Sequence, residues 1–138
     1  MPARDLFHEA VKHALEKDGW TITDDPFTLE YGNDQMAVDL AAEKLLAAQK
    51  GEQKIAVEVK TFASASLLYE FHLACGQYRN YGRVLRRKQP ARVLYLAVST
   101  DVYQSFQQSD LIRLALEEDA IKLLVFHAKQ EVITTWIN

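Results

Sequence analysis

The chain has 138 residues, a formal net charge of −3 and a single cysteine, Cys75. This length predicts one domain with a hydrophobic core, and a lone cysteine excludes an internal disulfide or a cysteine-based metal cluster. Charged residues occur throughout the first twenty positions, which argues against a signal peptide or a membrane span there. We therefore expect a globular cytoplasmic protein with no membrane association.

The charge is distributed unevenly along the chain. Residues 71–100 contain no acid and carry a charge of +6, from Arg79, Arg83, Arg86, Arg87, Lys88 and Arg92. Because the whole chain has 16 basic and 19 acidic residues, the rest carries a charge of −9. The overall balance gives no general argument for nucleic-acid binding, but it leaves one basic segment.

The N-terminal half is predicted to form one helix followed by four strands. Apolar residues at helical spacing indicate a helix over residues 4–18, which Gly19 ends. Apolar or alternating segments between turn residues predict the strands, at residues 20–23, 27–31, 35–49 and 53–60. Residues 50–52 are the predicted hairpin turn between the last two strands.

The C-terminal half is predicted to alternate helices and strands. A long helix covers residues 66–89, and Pro90 ends it. The strand over residues 92–98 is almost wholly apolar, as expected when both of its faces are covered. The remaining predicted elements are a two-part helix at 101–119 and strands at 121–126 and 131–137. This order indicates an α/β fold with a mixed β-sheet flanked by helices.

Two of the predicted strands carry an acid, Asp39 or Glu58, between apolar neighbours. Residues i and i+2 of a strand lie on one face about 6.6–6.8 Å apart, so Glu58 and Lys60 project together. Asp39 joins them if the two strands are neighbours. Two carboxylates at the margin of an apolar sheet are costly to bury without compensation. Mg²⁺ or Mn²⁺ would supply that compensation, because carboxylate oxygens suit these ions.

Such a site has the chemistry of phosphodiester hydrolysis. Asp39 and Glu58 would bind the metal, and the backbone carbonyl of Val59 would complete its shell. The metal would polarise a phosphodiester oxygen and lower the pKa of a bound water. Lys60 would orient or deprotonate that water, or stabilise charge on the phosphate. The alternative is a weak surface ion pair between Glu58 and Lys60, which is the commoner meaning of this pattern.

The register of the predicted hairpin leaves the second acid open. A strict hairpin centred on Gly51 places Glu43, rather than Asp39, opposite Glu58. A bulge or a longer turn would bring Asp39 closer. Asp39 is the preferred ligand and Glu43 the alternative.

An Asp on one strand followed by Glu-x-Lys on the next resembles the signature of the PD-(D/E)XK nuclease superfamily. Here the motif is Asp39 and residues 58–60, with Val38 at the position where the signature conventionally has Pro. Nearly the whole chain is similar to the XisH family, the excision controlling factors associated with removal of the fdxN element in nitrogen-fixing cyanobacteria. The similar stretches are MPARDLFHEAVKHAL, KDGWTITDDP, VDLAAEKLLAA, QKIAVEVKTF, GQY, RVLYLAVS and VITTWIN.

The resemblance implies a restriction-endonuclease-like fold and a role in site-specific DNA rearrangement. It also implies two protein partners, a site-specific recombinase and a small companion of the XisI type. It does not imply cleavage, because the superfamily contains members that have lost activity.

Two further site residues are suggested by the same resemblance. Gln77 and Tyr81 match a Gln-x-x-x-Tyr motif of some relatives, and Gln77 would hold a metal-bound water or a phosphate oxygen. Glu9 stands where many superfamily members place an extra metal-site acid. The alternatives are an amide at the edge of a core helix and a solvated acid. The four histidines show no ligand spacing and are predicted to be structural or exposed.

Arg79, Arg83 and Arg86 are predicted to lie on the side of the long helix away from Gln77. They would contact a DNA backbone, dock an acidic protein, or form a solvated surface. A homo-oligomer is also compatible with the sequence.

Two main functional hypotheses follow from the sequence. The first is a Mg²⁺-dependent DNA endonuclease acting in element excision. The second is a catalytically inactive factor with the same fold that controls excision through protein or DNA contacts, which the negative charge outside residues 71–100 favours. A toxin-like nuclease restrained by its companion is a third.

Overall fold

The computed structural model describes residues 6–45 and 52–138. Within them the chain forms four helices and eight strands. The helices are α1 (His8–Lys17), α2 (Leu67–Lys88), α3 (Thr100–Gln107) and α4 (Asp110–Glu118). The strands are β1 (Thr21–Asp24), β2 (Phe27–Tyr31), β3 (Asp34–Val38), β4 (Leu40–Leu45), β5 (Glu52–Val59), β6 (Arg92–Ser99), β7 (Leu123–His127) and β8 (Val132–Ile137).

Six of these strands form a mixed sheet in the order β1-β4-β5-β6-β7-β8. The three central strands β5, β6 and β7 run parallel, and the outer pairs are antiparallel. β2 and β3 form a separate antiparallel hairpin. The predicted mixed α/β fold with helices on the sheet is therefore confirmed.

Helices cover both faces of the sheet. Alternate residues of β6 belong to different hydrophobic clusters, so these clusters lie on opposite faces. α1 packs on one face through Val11 and Leu15. α2 and α3 pack on the other through Phe71 and Phe106, whose rings meet edge to face with centroids 5.4 Å apart. This double coverage explains why β6 is almost uninterruptedly apolar.

The strand predicted over residues 35–49 is in fact two strands in different sheets. β3 ends at Val38, β4 begins at Leu40, and Asp39 separates them. Val38 packs in the cluster between the β2–β3 hairpin and α2, whereas Leu40 packs under α1. At the break, the Asp39 carboxylate accepts the backbone N–H of Val59, so a side chain takes the place of a ladder partner.

The strict hairpin centred on Gly51, which would place Glu43 opposite Glu58, is not formed, and the preferred arrangement with Asp39 near Glu58 is. Leu40 pairs with Val57, so the next position outward places Asp39 beside Glu58. Glu43 pairs instead with Lys54 and lies away from Glu58. The predicted turn at residues 50 and 51, like residues 4 and 5 of the predicted first helix, lies outside the described residues.

None of the described helices is both long enough and apolar enough to cross a membrane.

Candidate metal and catalytic site

Asp39 and Glu58 are held together by two reciprocal hydrogen bonds. The Asp39 backbone N–H donates to Glu58 Oε1 over 3.2 Å. The Val59 backbone N–H donates to Asp39 Oδ2 over 2.7 Å. Since the two acids come from adjacent strands, these bonds fix both carboxylates at the same end of the sheet. The structure thus brings together the two acids that the sequence proposed as metal ligands.

Lys60 completes the predicted cluster. It follows the last residue of β5, and its backbone N–H donates to the Ala97 carbonyl over 3.1 Å, which continues the pairing with β6. Its ammonium nitrogen lies 3.3 Å from Glu58 Oε2. The Glu58 side chain is only 8% exposed and that of Lys60 29%, so this pair is not an ordinary solvated surface bridge.

Glu58 is electrostatically costly in its ionised form. Its pKa is raised from 4.5 to about 7, chiefly by burial and also by the Asp39 carboxylate, while Lys60 opposes both effects. One ammonium therefore does not fully compensate the two acids. A divalent cation would favour the ionised form of both acids, because it adds positive charge where the field is negative.

The donor set fits such a cation. Asp39 and Glu58 supply carboxylate oxygens, the preferred ligands of Mg²⁺ and Mn²⁺. The Val59 N–H points towards Asp39, and the carbonyl of a strand residue points to the same side as its N–H. The Val59 carbonyl is thus directed to the same side, and its role as a metal ligand stays a prediction.

α1 closes the site with His8, which was expected from the sequence to be structural or exposed. His8 is 3% exposed, and its Nε2 lies 2.8 Å from Asp25 Oδ1. Its Nδ1 lies 3.9 Å from Asp39 Oδ1. Asp25 also accepts a hydrogen bond from Lys12 over 3.2 Å. No spacing rule connects these residues, because α1 and β4 meet only when the chain has folded.

The long helix contributes Tyr81 to the site. Its hydroxyl donates to the Ala37 carbonyl over 3.4 Å. Burial raises the pKa of Tyr81, and the nearby Glu58 and Asp39 carboxylates raise it further. Gln77 lies one helical turn earlier and is exposed. The position of Tyr81 is therefore set by the core, and the role of Gln77 stays a prediction.

Two other acids lie at the margin of the cluster. Glu9 is exposed on α1, and one of its oxygens, one of Asp25 and a nitrogen of His8 lie within 4.8 Å of one another. Its predicted role as an additional metal ligand stays a prediction. Glu70 lies on α2 beside a cleft of about 220 Å³ that Lys60 and Phe62 also line. Its carboxylate accepts the Ser64 N–H over 3.2 Å.

The basic residues of α2 are only partly available for binding. Arg79 forms an ion pair with Asp119. Arg83 and Arg86 line an open cleft of about 730 Å³ between α2 and the β2–β3 hairpin, together with Tyr31, Asp34, Gln35, Met36, Asn80, Val84 and Arg87. This cleft is next to the N-terminal end of β3, and Asp39 follows the other end. The arginines thus lie beyond the acidic site, as predicted.

Comparison with known proteins gives consistent matches over nearly the whole chain. The family model described as XisH protein matches residues 1–134. A crystal structure of an XisH family protein from Nostoc punctiforme is 47% identical, with a TM-score of 0.86, covering 97% of this chain and 100% of that one. An fdxN element excision controlling factor protein from Anabaena variabilis is 48% identical, with a TM-score of 0.87, covering 98% and 100%. No curated protein matches the chain.

Proposed function

We propose that this chain, which belongs to the XisH family, is a metal-dependent DNA endonuclease acting in the excision of a genetic element. We further propose that its fold is of the restriction-endonuclease type. The similar protein from Anabaena variabilis is called an fdxN element excision controlling factor, which supports the excision role.

The observation that carries the catalytic part is the convergence of Asp39, Glu58 and Lys60. The Asp stands at the start of one strand and the Glu-x-Lys at the end of its antiparallel neighbour. Direct hydrogen bonds join Asp39 to residues 58 and 59, and a 3.3 Å contact joins Glu58 to Lys60. This is the arrangement that the resemblance to PD-(D/E)XK nucleases implies.

The residues divide the chemistry between them. When bound, Mg²⁺ or Mn²⁺ supplies Lewis-acid polarisation of a phosphodiester oxygen and a lowered pKa for a water. Backbone N–H groups hold the Asp39 and Glu58 carboxylates in place. Less side-chain motion is therefore lost when these carboxylates bind a metal. Lys60 holds an ammonium at the same place and stabilises negative charge that builds on the phosphate. Gln77 would bind a phosphate oxygen or a water, and Glu9 would extend the metal site.

The partners are part of the same proposal. DNA is the substrate, and a recombinase and a small companion of the XisI type are the expected proteins beside it. The family membership supports this set, since excision of an element requires strand exchange that one small hydrolytic site does not supply.

Plasmid nicking in Mg²⁺ or Mn²⁺ tests the catalytic proposal. Lys60→Ala should lower the rate by about 10²-fold or more, because it removes a charge that acts in the transition state. Lys54→Ala is the matched control, since Lys54 is on the same strand and contacts Glu43 rather than Glu58. Equal nicking by the Lys60→Ala variant, or no nicking by the native chain, would contradict the proposal.

A second candidate is a factor with the same fold that does not cleave DNA. The charge of −9 outside residues 71–100 favours it. Three of the six basic residues in that segment also make internal hydrogen bonds, Arg79 with Asp119, Arg83 with Asn80, and Arg92 with Ile55 and Gln89. Absence of nicking together with tight binding to the small companion would select this candidate.

A further inference from the structure

We infer that the exposed side of α2 is a docking surface for a helix of another protein, one that carries apolar residues along one half and acidic residues along the other. The surface consists of six positions, which we call the α2 seam. They are Tyr69, Leu73, Gly76, Asn80, Arg83 and Arg87. None of them belongs to the proposed metal site, so the docking surface is independent of the catalytic proposal.

The spacing of the α2 seam is that of a coiled-coil contact. Its positions follow one another by alternating steps of four and three residues, which keep side chains in line along one side of a helix. At 3.6 residues per turn they span about 80° of the helix surface and extend over about 27 Å. All six residues are exposed. α2 therefore offers a continuous open side, long enough for about five turns of a second helix.

The N-terminal half of the α2 seam is apolar and open to solvent. The exposed fraction is 61% for Tyr69 and 53% for Leu73, and Leu68, just before the seam, is 40% exposed. Large apolar side chains that adjoin one another on a surface mark sites of protein contact. Leucine side chains form no hydrogen bond or ion pair with a phosphate backbone. This half therefore favours a protein over a nucleic acid as the occupant.

Gly76 has no explanation in the packing of the chain itself. It lies in the interior of α2, where glycine is the least favourable residue apart from proline. Its φ is not positive, and among the described residues no neighbouring atom lies within 4 Å of a Cβ added there. The distance between two packed helices depends on the side chains at the contact. A glycine on the α2 seam therefore lets a second helix approach closely.

The C-terminal half of the α2 seam is basic. Arg83 and Arg87 are exposed, and Arg83 donates a hydrogen bond to Asn80 Oδ1, on the seam itself, over 2.6 Å. Residues 71–100 contain no acid, so α2 supplies no carboxylate to these arginines beyond its first turn. Complementary charge on a partner favours encounter and fixes its register. Acidic residues on the partner helix are therefore expected beside this half.

A second copy of the chain fits the α2 seam less well. In an antiparallel pair, Arg83 and Arg87 of one copy would face Leu73 and Tyr69 of the other and would be buried without an acid on the seam. In a parallel pair, arginine would face arginine. The α2 seam is complementary to acids that it lacks itself, so we assign it to a different protein.

Fluorescence anisotropy with a labelled synthetic helix tests the assignment. The probe is an alanine-based peptide of about three heptads, with leucine at the heptad positions of one half and glutamate at those of the other. The full chain should bind it. A matched peptide with lysine in place of glutamate should bind at least about tenfold more weakly, because lysine is repelled by the arginines.

Variants of the chain locate the contact. Gly76→Leu should weaken binding of the glutamate peptide at least about tenfold, because the added side chain occupies the space of the partner helix. This variant should still fold, since leucine favours a helix more than glycine does and the position is open. Urea unfolding checks that expectation. Arg87→Glu should also weaken binding, and Lys88→Glu, about 100° away around the helix, is the matched control.

The other occupants are outcomes of the same experiment. A dimer of the native chain in sedimentation, lost in Gly76→Leu, would overturn the assignment in favour of a second copy. Duplex DNA bound less tightly by Arg87→Glu, with no binding of the glutamate peptide, would overturn it in favour of a nucleic acid. Failure of the native chain to bind the glutamate peptide, equal binding of both peptides, or equal binding by Gly76→Leu would each show that the α2 seam does not dock such a helix.

Discussion

Glu58 connects the electrostatics of the site to the stability of the protein. Without metal its pKa rises from 4.5 to about 7, chiefly because the carboxyl is buried. Between these pH values the folded chain keeps a proton that the unfolded chain releases. The free energy of unfolding therefore falls as the pH rises through this window, by about 3 kcal/mol from this residue.

Glu58→Gln should remove that dependence on pH. The difference in unfolding free energy between native chain and variant should shift by about 3 kcal/mol in favour of the variant from pH 4.5 to pH 7 and above. Urea unfolding in EDTA across this range measures it. Glu30→Gln is the control, since Glu30 is exposed and stays hydrated in both states. A constant difference for Glu58→Gln would show that the carboxyl titrates normally.

A saturating divalent cation should change the behaviour of the native chain in the opposite sense. Carboxylate ligands must be ionised to bind a metal, so the stabilisation by Mn²⁺ should grow as the pH rises towards 8. His8 and Asp39 lie in the same cluster of side chains, which is brought together only in the folded chain.

Among the secondary-structure elements, Arg92 shows how a charge can be part of the core. It is the first residue of β6. Its Nη1 donates a hydrogen bond to the Ile55 carbonyl over 2.9 Å, and its Nε donates one to Gln89 Oε1 over 2.7 Å. Its guanidinium also lies 4.8 Å from the centre of the Phe27 ring. The residue therefore joins β5, the end of α2 and the β2–β3 hairpin.

Arg92→Ala should lower the free energy of unfolding by about 2–4 kcal/mol, because it leaves buried acceptors unsatisfied and opens a gap. Chemical denaturation gives the value directly. Arg87→Ala, on the exposed side of α2, should change it by no more than about 0.5 kcal/mol. Equal effects of the two substitutions would mean that the Arg92 contacts do not stabilise the fold.

The order and type of the elements could be predicted from local patterns alone. The break at Asp39 could not, because alternation continues through it and both Val38 and Leu40 are buried. They are buried in different clusters, which only the tertiary structure distinguishes. The hairpin register could not be fixed for a similar reason, since a strict hairpin centred on Gly51 places Glu43 opposite Glu58, four positions from the observed pairing.

The candidate site shows the same limit. Glu58 and Lys60 share a strand face, so their proximity follows from strand geometry. His8 is 31 positions from Asp39, and its contact depends on how α1 packs on the sheet. Residues on one element can be grouped from sequence, while residues that meet across elements require the fold.

At the scale of the whole molecule, the acidic site and the arginine cleft lie at opposite ends of β3. β3 and Asp39 span residues 34–39, and five strand steps cover about 17 Å. A nucleic acid that reaches the acids could therefore also contact the arginines. Around the cleft, the clustered arginines would offset the negative charge of the rest of the chain.

Arg83→Glu combined with Arg86→Glu tests whether the cleft binds DNA. If each arginine neutralises one phosphate, the slope of log affinity against log salt should fall in magnitude by about 2. Affinity at low salt should fall with it, while the free energy of unfolding stays within about 0.5 kcal/mol, because both side chains are exposed. Fluorescence anisotropy at several salt concentrations measures the slope.

Arg113→Glu is a single charge reversal outside the cleft and serves as the control, since Arg113 is exposed on α4. It should leave the salt slope almost unchanged, which separates a local contact from a change in net charge. Unchanged DNA binding by the double variant would contradict a DNA role for the cleft. Loss of companion binding in that same variant would instead identify the cleft as a protein-binding surface, because acidic side chains and phosphates are attracted by the same arginines.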